Sequence, residues 1–419
     1  MRRILVLLLT LAPAFAQVAG PEHIALRAEA ESAYLRKDYA AARDALREAL
    51  ELRPDSPHYL QLLAAISSLL GDRETALEYL RQLAALGVAP SLERDPDLAP
   101  LQGTTEFLRL LRVFDANREP RGEAGILAEL PGRTGIIEGI AYLPRSGDLF
   151  LGDVHHRCIW RRDRDGRVAR YTAEDDELFG IFGLAVDKAR NSLWAAMSAV
   201  PEMAGYTPDL KGHAALAEFD LATSELVRVV PVPADGRDHG LSDLTIADDG
   251  TVFATDSKAP VVWMLTPDAE ELQIAASAPV FGSLQGVIVE RRTLLVADHA
   301  NGLFAIDLAT RNVTALPPPQ GVTLVGLDGL IAVPGGAVAT QNGVMPQRII
   351  HLTFKPELDG IVSVRVLASG QPALHDLSLL TWANDRPLVV AGSGWEGFDP
   401  AKRPRPAAHT VHIFHVTLP

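Results

Sequence analysis

Six stretches between residues 134 and 417 repeat one pattern: a short apolar strand, a polar turn and a second apolar strand. The first unit reads IIEGIAYLPRSGDLFLGD and carries Glu138; the second, FGLAVDKARNSLWAAMS, begins at Phe182. The third is LSDLTIADDGTVFATDS from Leu241, and the fourth is LQGVIVERRTLLVADHANGLFAIDL from Leu284. LDGLIAVPGGAVATQNG from Leu327 and HDLSLLTWANDRPLVVAGSG from His375 complete the set. Several units run on into a third strand, as at Ala217–Leu221, Leu303–Leu308 and Val411–Val416. Spacings of roughly 40 to 60 residues suit four-stranded blades with variable loops. A sandwich has no reason to repeat one signature six times, so the pattern predicts an all-β six-bladed propeller over residues 124–419. Gly125–Pro131 is placed to lend a strand to the last blade and close the ring, which removes free edges.

The preceding residues have a different period. Over 22–114, apolar and small residues recur at three- and four-residue spacings, which predicts a small all-α domain. Ala30, Ala42, Leu46 and Ala49 are matched 34 residues later by Ala64, Ala76, Leu80 and Leu83. That register resembles the tetratricopeptide repeat, with Tyr39 and Pro54 at its usual aromatic and proline positions. Gly71-Asp72 marks the turn inside the second helix pair, and Phe107, Leu110, Leu111 and Phe114 mark a covering helix. Such modules bind peptides or partner domains, so a protein partner here and a spacer role are both open. The polar run 115–123 is expected to be the linker.

Residues 1–16, MRRILVLLLTLAPAFA, have the charged start, apolar stretch and small-x-small end of a signal peptide. The mature chain is therefore expected to be exported, periplasmic or extracellular. No later segment has the run of about 18 apolar residues that spans a membrane as a helix. A formal net charge of -14 argues against nucleic acid as a partner. Cys158 is the lone cysteine, so no intrachain disulfide can form, and it reads as a small buried hydrophobe.

In a propeller the innermost strands start beside the central channel, so residues at those starts converge. Here they are Glu138, Gly183, Ser242 with Asp243, Gln285, Asp328 and Asp376. Most are oxygen donors, and acids brought together repel unless a cation lies between them. Calcium, which takes about six to eight oxygens, suits that set. The plainer alternative is that these acids cap turns, and for Asp243 and Asp376 that alternative is preferred. Polar residues at the ends of second strands, among them His299 and Asn342, add candidates for the same mouth. The insertion 197–214 is a candidate lid, and Trp395 a candidate wall.

The dipeptides at these starts resemble those of the superfamily that contains senescence marker protein (regucalcin), gluconolactonase, paraoxonase and strictosidine synthase. Glu138-Gly139 resembles the family's metal-binding EG, Ser242-Asp243 its ND, Gln285-Gly286 its NG and Asp328-Gly329 its DG. The resemblance implies a divalent cation, most suitably calcium, on Glu138, Gln285 and Asp328. It also implies Asp328 as general base, with Ser242 at the substrate or at water on the metal. Gln285 and Ser242 both stand where the family has Asn, and Phe182 lies where paraoxonases have a proposed catalytic His. The implied activity is metal-dependent hydrolysis of a lactone or related ester. The departures favour the alternative: a non-catalytic ligand- or protein-binding propeller with a degenerate metal site.

Overall fold

A computed structural model describes residues 22–173, 175, 177–398 and 408–418. The expected signal peptide at 1–16 and residues 399–407 lie outside the described residues.

Among the described residues five α-helices come first: α1 (Glu22–Leu35), α2 (Tyr39–Leu52), α3 (Pro57–Leu69), α4 (Arg73–Ala85) and α5 (Thr105–Arg118). Their starts are set locally. The side chains of Asp38, Ser56, Asp72 and Thr104 each accept a hydrogen bond from the backbone N–H three residues on, and Pro57 opens α3. The residues matched at the 34-residue period are buried where the helices meet, with Ala42, Ala64, Ala76, Leu80 and Leu83 fully inaccessible. Phe107, Leu110 and Phe114 cover α3 and α4 as expected. Of the stretch expected to be a linker, Asp115–Arg118 instead continue α5. Arg121–Gly122 then add an edge strand to the fifth blade, with Arg121 opposite Ser369. Gly122 has φ +65, and a Cβ there would lie 1.8 Å from the Leu367 carbonyl oxygen, so no larger residue fits.

Six antiparallel sheets follow. Blades one to four are consecutive four-stranded meanders starting at Ile137, Gly180, Leu241 and Leu284. The fifth starts at Leu327 and carries the extra edge strand. In the sixth, Ala124–Arg133 pairs with His409–Val416 as the outermost strand, so the two ends of the propeller sequence close the ring. The inner strand of this blade begins at Leu380, later than the sequence pattern placed it.

Each seam between neighbouring blades has its own apolar core. Blades are packed on both faces, and this changes the strand pattern. Asp148–Asp153, Ser192–Ser198 and Val252–Asp256 are buried along their whole length rather than alternately. Full burial of a single Leu or Phe contributes about 1.5–3 kcal/mol, so each seam holds its blades firmly. Asp153, Asp256 and Asp298, at the ends of second strands, tie the chain together there. Each accepts backbone N–H bonds from the loop before the inner strand and from the turn that follows it.

Among the described residues no helix is long and apolar enough to cross a membrane. Cys158 is buried, and burial pushes its thiol up to about 12, which leaves it an unreactive core residue.

Candidate functional site

In each of the first five blades, the pairing of the inner strand with the second strand shifts register at one place. The shifts fall between Ile137 and Ile140, Ile181 and Leu184, Leu241 and Leu244, Leu284 and Val287, and Leu327 and Leu330. The residues inside these bulges are Glu138-Gly139, Phe182-Gly183, Ser242-Asp243, Gln285-Gly286 and Asp328-Gly329. A bulge re-aims side chains, and here the first residue of each pair lines one pocket. The second sits where the adjacent inner strand passes. A Cβ at Gly139 would lie 2.0 Å from the Phe182 carbonyl oxygen, and one at Gly286 would lie 2.4 Å from the Leu330 nitrogen. Glycine is thus required by close approach of backbones, not by a ligand.

The third blade departs from the rule. Asp243 occupies the glycine position, and its carboxylate lies against Gly183 of the second blade, which has no side chain in the way. Its Oδ1 accepts the Leu244 N–H at 2.8 Å, but burial pushes its pKa up to about 8. Asp243 thus has a structural place, as the sequence reading preferred, but in the seam between blades and not as a turn cap. Asp376 is likewise outside the pocket lining: it precedes the sixth inner strand and its Oδ2 accepts the Gly394 N–H at 2.7 Å.

The pocket has a volume of about 300 Å³ at the end of the ring where inner strands begin. Glu138, Ser242, Gln285 and Asp328 all line it, so the structure brings the four candidate site residues together. Ser257, Ser283, His299 and Asn342 surround them from loops of blades three to five, and Phe182, Leu379 and Trp395 form the apolar wall. The Phe182 and Trp395 rings are 6.2 Å apart at their centroids. Trp395 was anticipated as a wall, whereas Ser257, Ser283 and Leu379 carry no sequence signal that marks them. The expected lid does not reach the lining. Met197 is a buried strand residue, Met203 is buried, and the Ala204 N–H donates to the His155 carbonyl of the first blade.

Hydrogen bonds fix the two acids. Trp395 Nε1 donates to Glu138 Oε2 at 2.8 Å, and Asn342 Nδ2 donates to Asp328 Oδ2 at 2.6 Å. Gln285 Nε2 donates to Ser283 Oγ at 3.1 Å, which leaves its carbonyl oxygen as the group free to accept. Burial raises the pKa of both Glu138 and Asp328; the neighbouring Asp328 charge raises Glu138 further, and that of Asp376 adds to both. Trp395 and Asn342 pull the other way by bonding to the charged forms. Burial also lowers the pKa of the His299 imidazole, against a hydrogen bond with Asn342.

Among the described residues no lysine or arginine lines the pocket, and two repelling acids with neutral oxygen donors around them are a setting that a hard cation would relieve. The donors present are oxygens, the type that calcium takes. The site is nonetheless sparse in charge: among the described residues, no group of three or more His, Cys, Asp or Glu side chains is arranged to hold a metal.

No protein-family model matches the chain, and no curated protein matches it. Solved structures of low similarity do. An aldose sugar dehydrogenase from Streptomyces coelicolor, in its PQQ-bound form, is 13% identical, over 71% of this chain and 98% of that one, with a TM-score of 0.47. A gluconolactonase from Xanthomonas campestris is 17% identical over 69% of this chain and 88% of that one, also at 0.47. Virginiamycin B lyase from Staphylococcus aureus is 12% identical over 64% and 82%, at 0.45.

Proposed function

We propose that this protein is a binding propeller, whose channel-mouth pocket holds a small ligand on Glu138 and Asp328 without transforming it. The observation that carries this reading is the pair of repelling carboxylates, half-buried Glu138 and buried Asp328, in a pocket where no described residue supplies a cationic side chain. Such a pair favours a positively charged occupant, and a divalent cation, calcium above others, is the simplest one. Glu138, Asp328 and the Gln285 carbonyl would hold it, with Ser242 as a weaker neighbour. A bound cation supplies the charge that lets both acids ionise together. Trp395 and Asn342 keep the two carboxylates oriented, and Phe182 with Leu379 limits the water around them. Ser242 stands where the resembled family has Asn and Phe182 where paraoxonases have a proposed catalytic His, and these two departures support binding over turnover. The reading takes the chain as exported, periplasmic or extracellular, by way of residues 1–16.

One observation favours a second reading. The raised proton affinity of Asp328 suits a general base near neutral pH, which would take a proton from water attacking a lactone carbonyl.

Calorimetric titration of the full chain with calcium chloride at pH 8 tests the first reading. Binding is expected, and Asp328→Asn should weaken it about tenfold or more, equivalent to ~1.4 kcal/mol or more. Absence of heat with calcium and with a panel of small cations would remove the binding reading. Hydrolysis of any of a panel of lactones, lost in Asp328→Asn, would put the second in its place.

A further inference from the structure

The helical region meets the propeller at the two loops that carry His299 and Asn342. On the fourth blade, Arg53 Nη1 donates to the Ala300 carbonyl at 3.2 Å and to Asn301 Oδ1 at 3.0 Å. His23 Nε2 bonds the same Asn301 oxygen at 2.8 Å. Asp55 holds the Arg53 guanidinium through both carboxylate oxygens, and both side chains are almost fully buried. On the fifth blade, Val344 lies inside the apolar core of α3, α4 and α5, and the Ala89 N–H donates to the Met345 carbonyl. Arg348 joins the two parts again, donating to Gln341 Oε1 at 2.6 Å and to the Leu86 carbonyl at 3.4 Å.

These loops also hold one another. Gly326 N–H donates to the His299 carbonyl at 2.7 Å, and Gly343 N–H donates to the Gly326 carbonyl at 3.1 Å. A Cβ on Gly343 would lie 2.7 Å from His299 Nε2, so the two loops leave no slack between them. His299 stands two residues from Asn301, and Asn342 two residues from Val344. Asn342 in turn orients the Asp328 carboxylate.

We infer that the helical region is a positioning element of the pocket: Arg53, through Asn301, sets where His299 and Asn342 stand and hence how Asp328 is presented. A buried charged fork and an apolar plug, at two points of one wall, transmit displacement of the helices to that wall. Whatever moves α2 or α3 against the fourth blade therefore changes pocket affinity, and an occupied pocket resists that movement equally. The coupling to affinity rests on the pocket being a ligand site; the positioning does not.

The test uses the full chain labelled with 13C-histidine, with two readouts: the His299 ring signals without ligand, and calorimetric affinity for calcium chloride. Arg53→Met should move the His299 signals and weaken calcium about fivefold or more, with circular dichroism unchanged. Arg53→Lys, which keeps a positive charge, should restore part of both. Asp72→Ala is the control. It removes the α4 cap, away from the wall, and should lower stability while leaving ring signals and affinity alone. Unmoved His299 signals in both Arg53 variants overturn the inference, as do signals that move equally in Asp72→Ala. If the wild type binds no calcium, the proposed ligand is wrong and the His299 signals alone decide the positioning.

Discussion

On the side of blades four and five, the pocket wall hangs from loops held by the helical region through Arg53, His23 and Ala89. On the side of blades one to three, Glu138, Phe182 and Ser242 stand on inner-strand bulges packed against neighbouring blades. Glu138 has its partners in the sixth blade: Trp395 on its side chain, and Ser378 on its carbonyl at 2.8 Å. Asp328 has Asn342, on a loop docked to the helices. Both acids stand on inner-strand bulges, but the side chain that orients each is anchored differently. A propeller seam can fix a carboxylate without help, whereas a long second-to-third-strand loop needs an outside support.

Three experiments would break or sharpen that contrast. Phe114 is fully buried in the core that also takes in Val344. Phe114→Ala should cost about 3–5 kcal/mol in the helical region. If the two halves are independent, thermal unfolding will then resolve into two steps. Hydrogen exchange should quicken at 341–345 and stay slow at 137–143.

Asp243 tests the seam half. Its pKa rises in the folded state from an ordinary 3.8 to about 8. The native protein therefore keeps a proton that the unfolded chain releases, and stability falls as pH rises from about 4 to about 8. Asp243→Asn removes that penalty while keeping an acceptor for the Leu244 N–H. It should raise stability at pH 8 by on the order of 2 kcal/mol and converge with wild type near pH 4. A melting curve series that shows equal gain at both pH values would mean that burial of charge is not the cause.

Trp395→Phe gives the smallest effect. It removes one donor to Glu138, worth about 1 kcal/mol. Because that bond favours the charged carboxylate, its loss should shift the Glu138 titration to higher pH, measured by 13C carboxyl NMR. The Asp328 titration should move much less, since Asn342 is untouched. Equal movement of both would show that the two halves are not separately held.

Much of the fold was legible because repetition leaves marks. Six strand-turn-strand units, the closing strand near Gly125 and the 34-residue helical register all follow from patterns that packing imposes many times over. Caps at Ser56 and Asp72 are equally local. The start-of-strand rule also located Glu138, Ser242, Gln285 and Asp328 at one pocket. Where a pattern had to be read by one residue, it misled. Asp376 falls ahead of its strand, and Asp115–Arg118 continue a helix because their polarity suits an exposed helical turn as well as a linker.

The sequence by itself determined the blades, the helices and the residues that meet at the axis, since hydrophobic period and glycine positions act over short range. Only the tertiary structure decided that Asp243 turns into a seam, that Trp395 bonds Glu138, and that the helices grip the wall beside Asp328. The physical reason is distance along the chain. His23 and Asn301 are 278 residues apart, and no local preference of either encodes their bond. It exists because burying the two apolar surfaces brings them together.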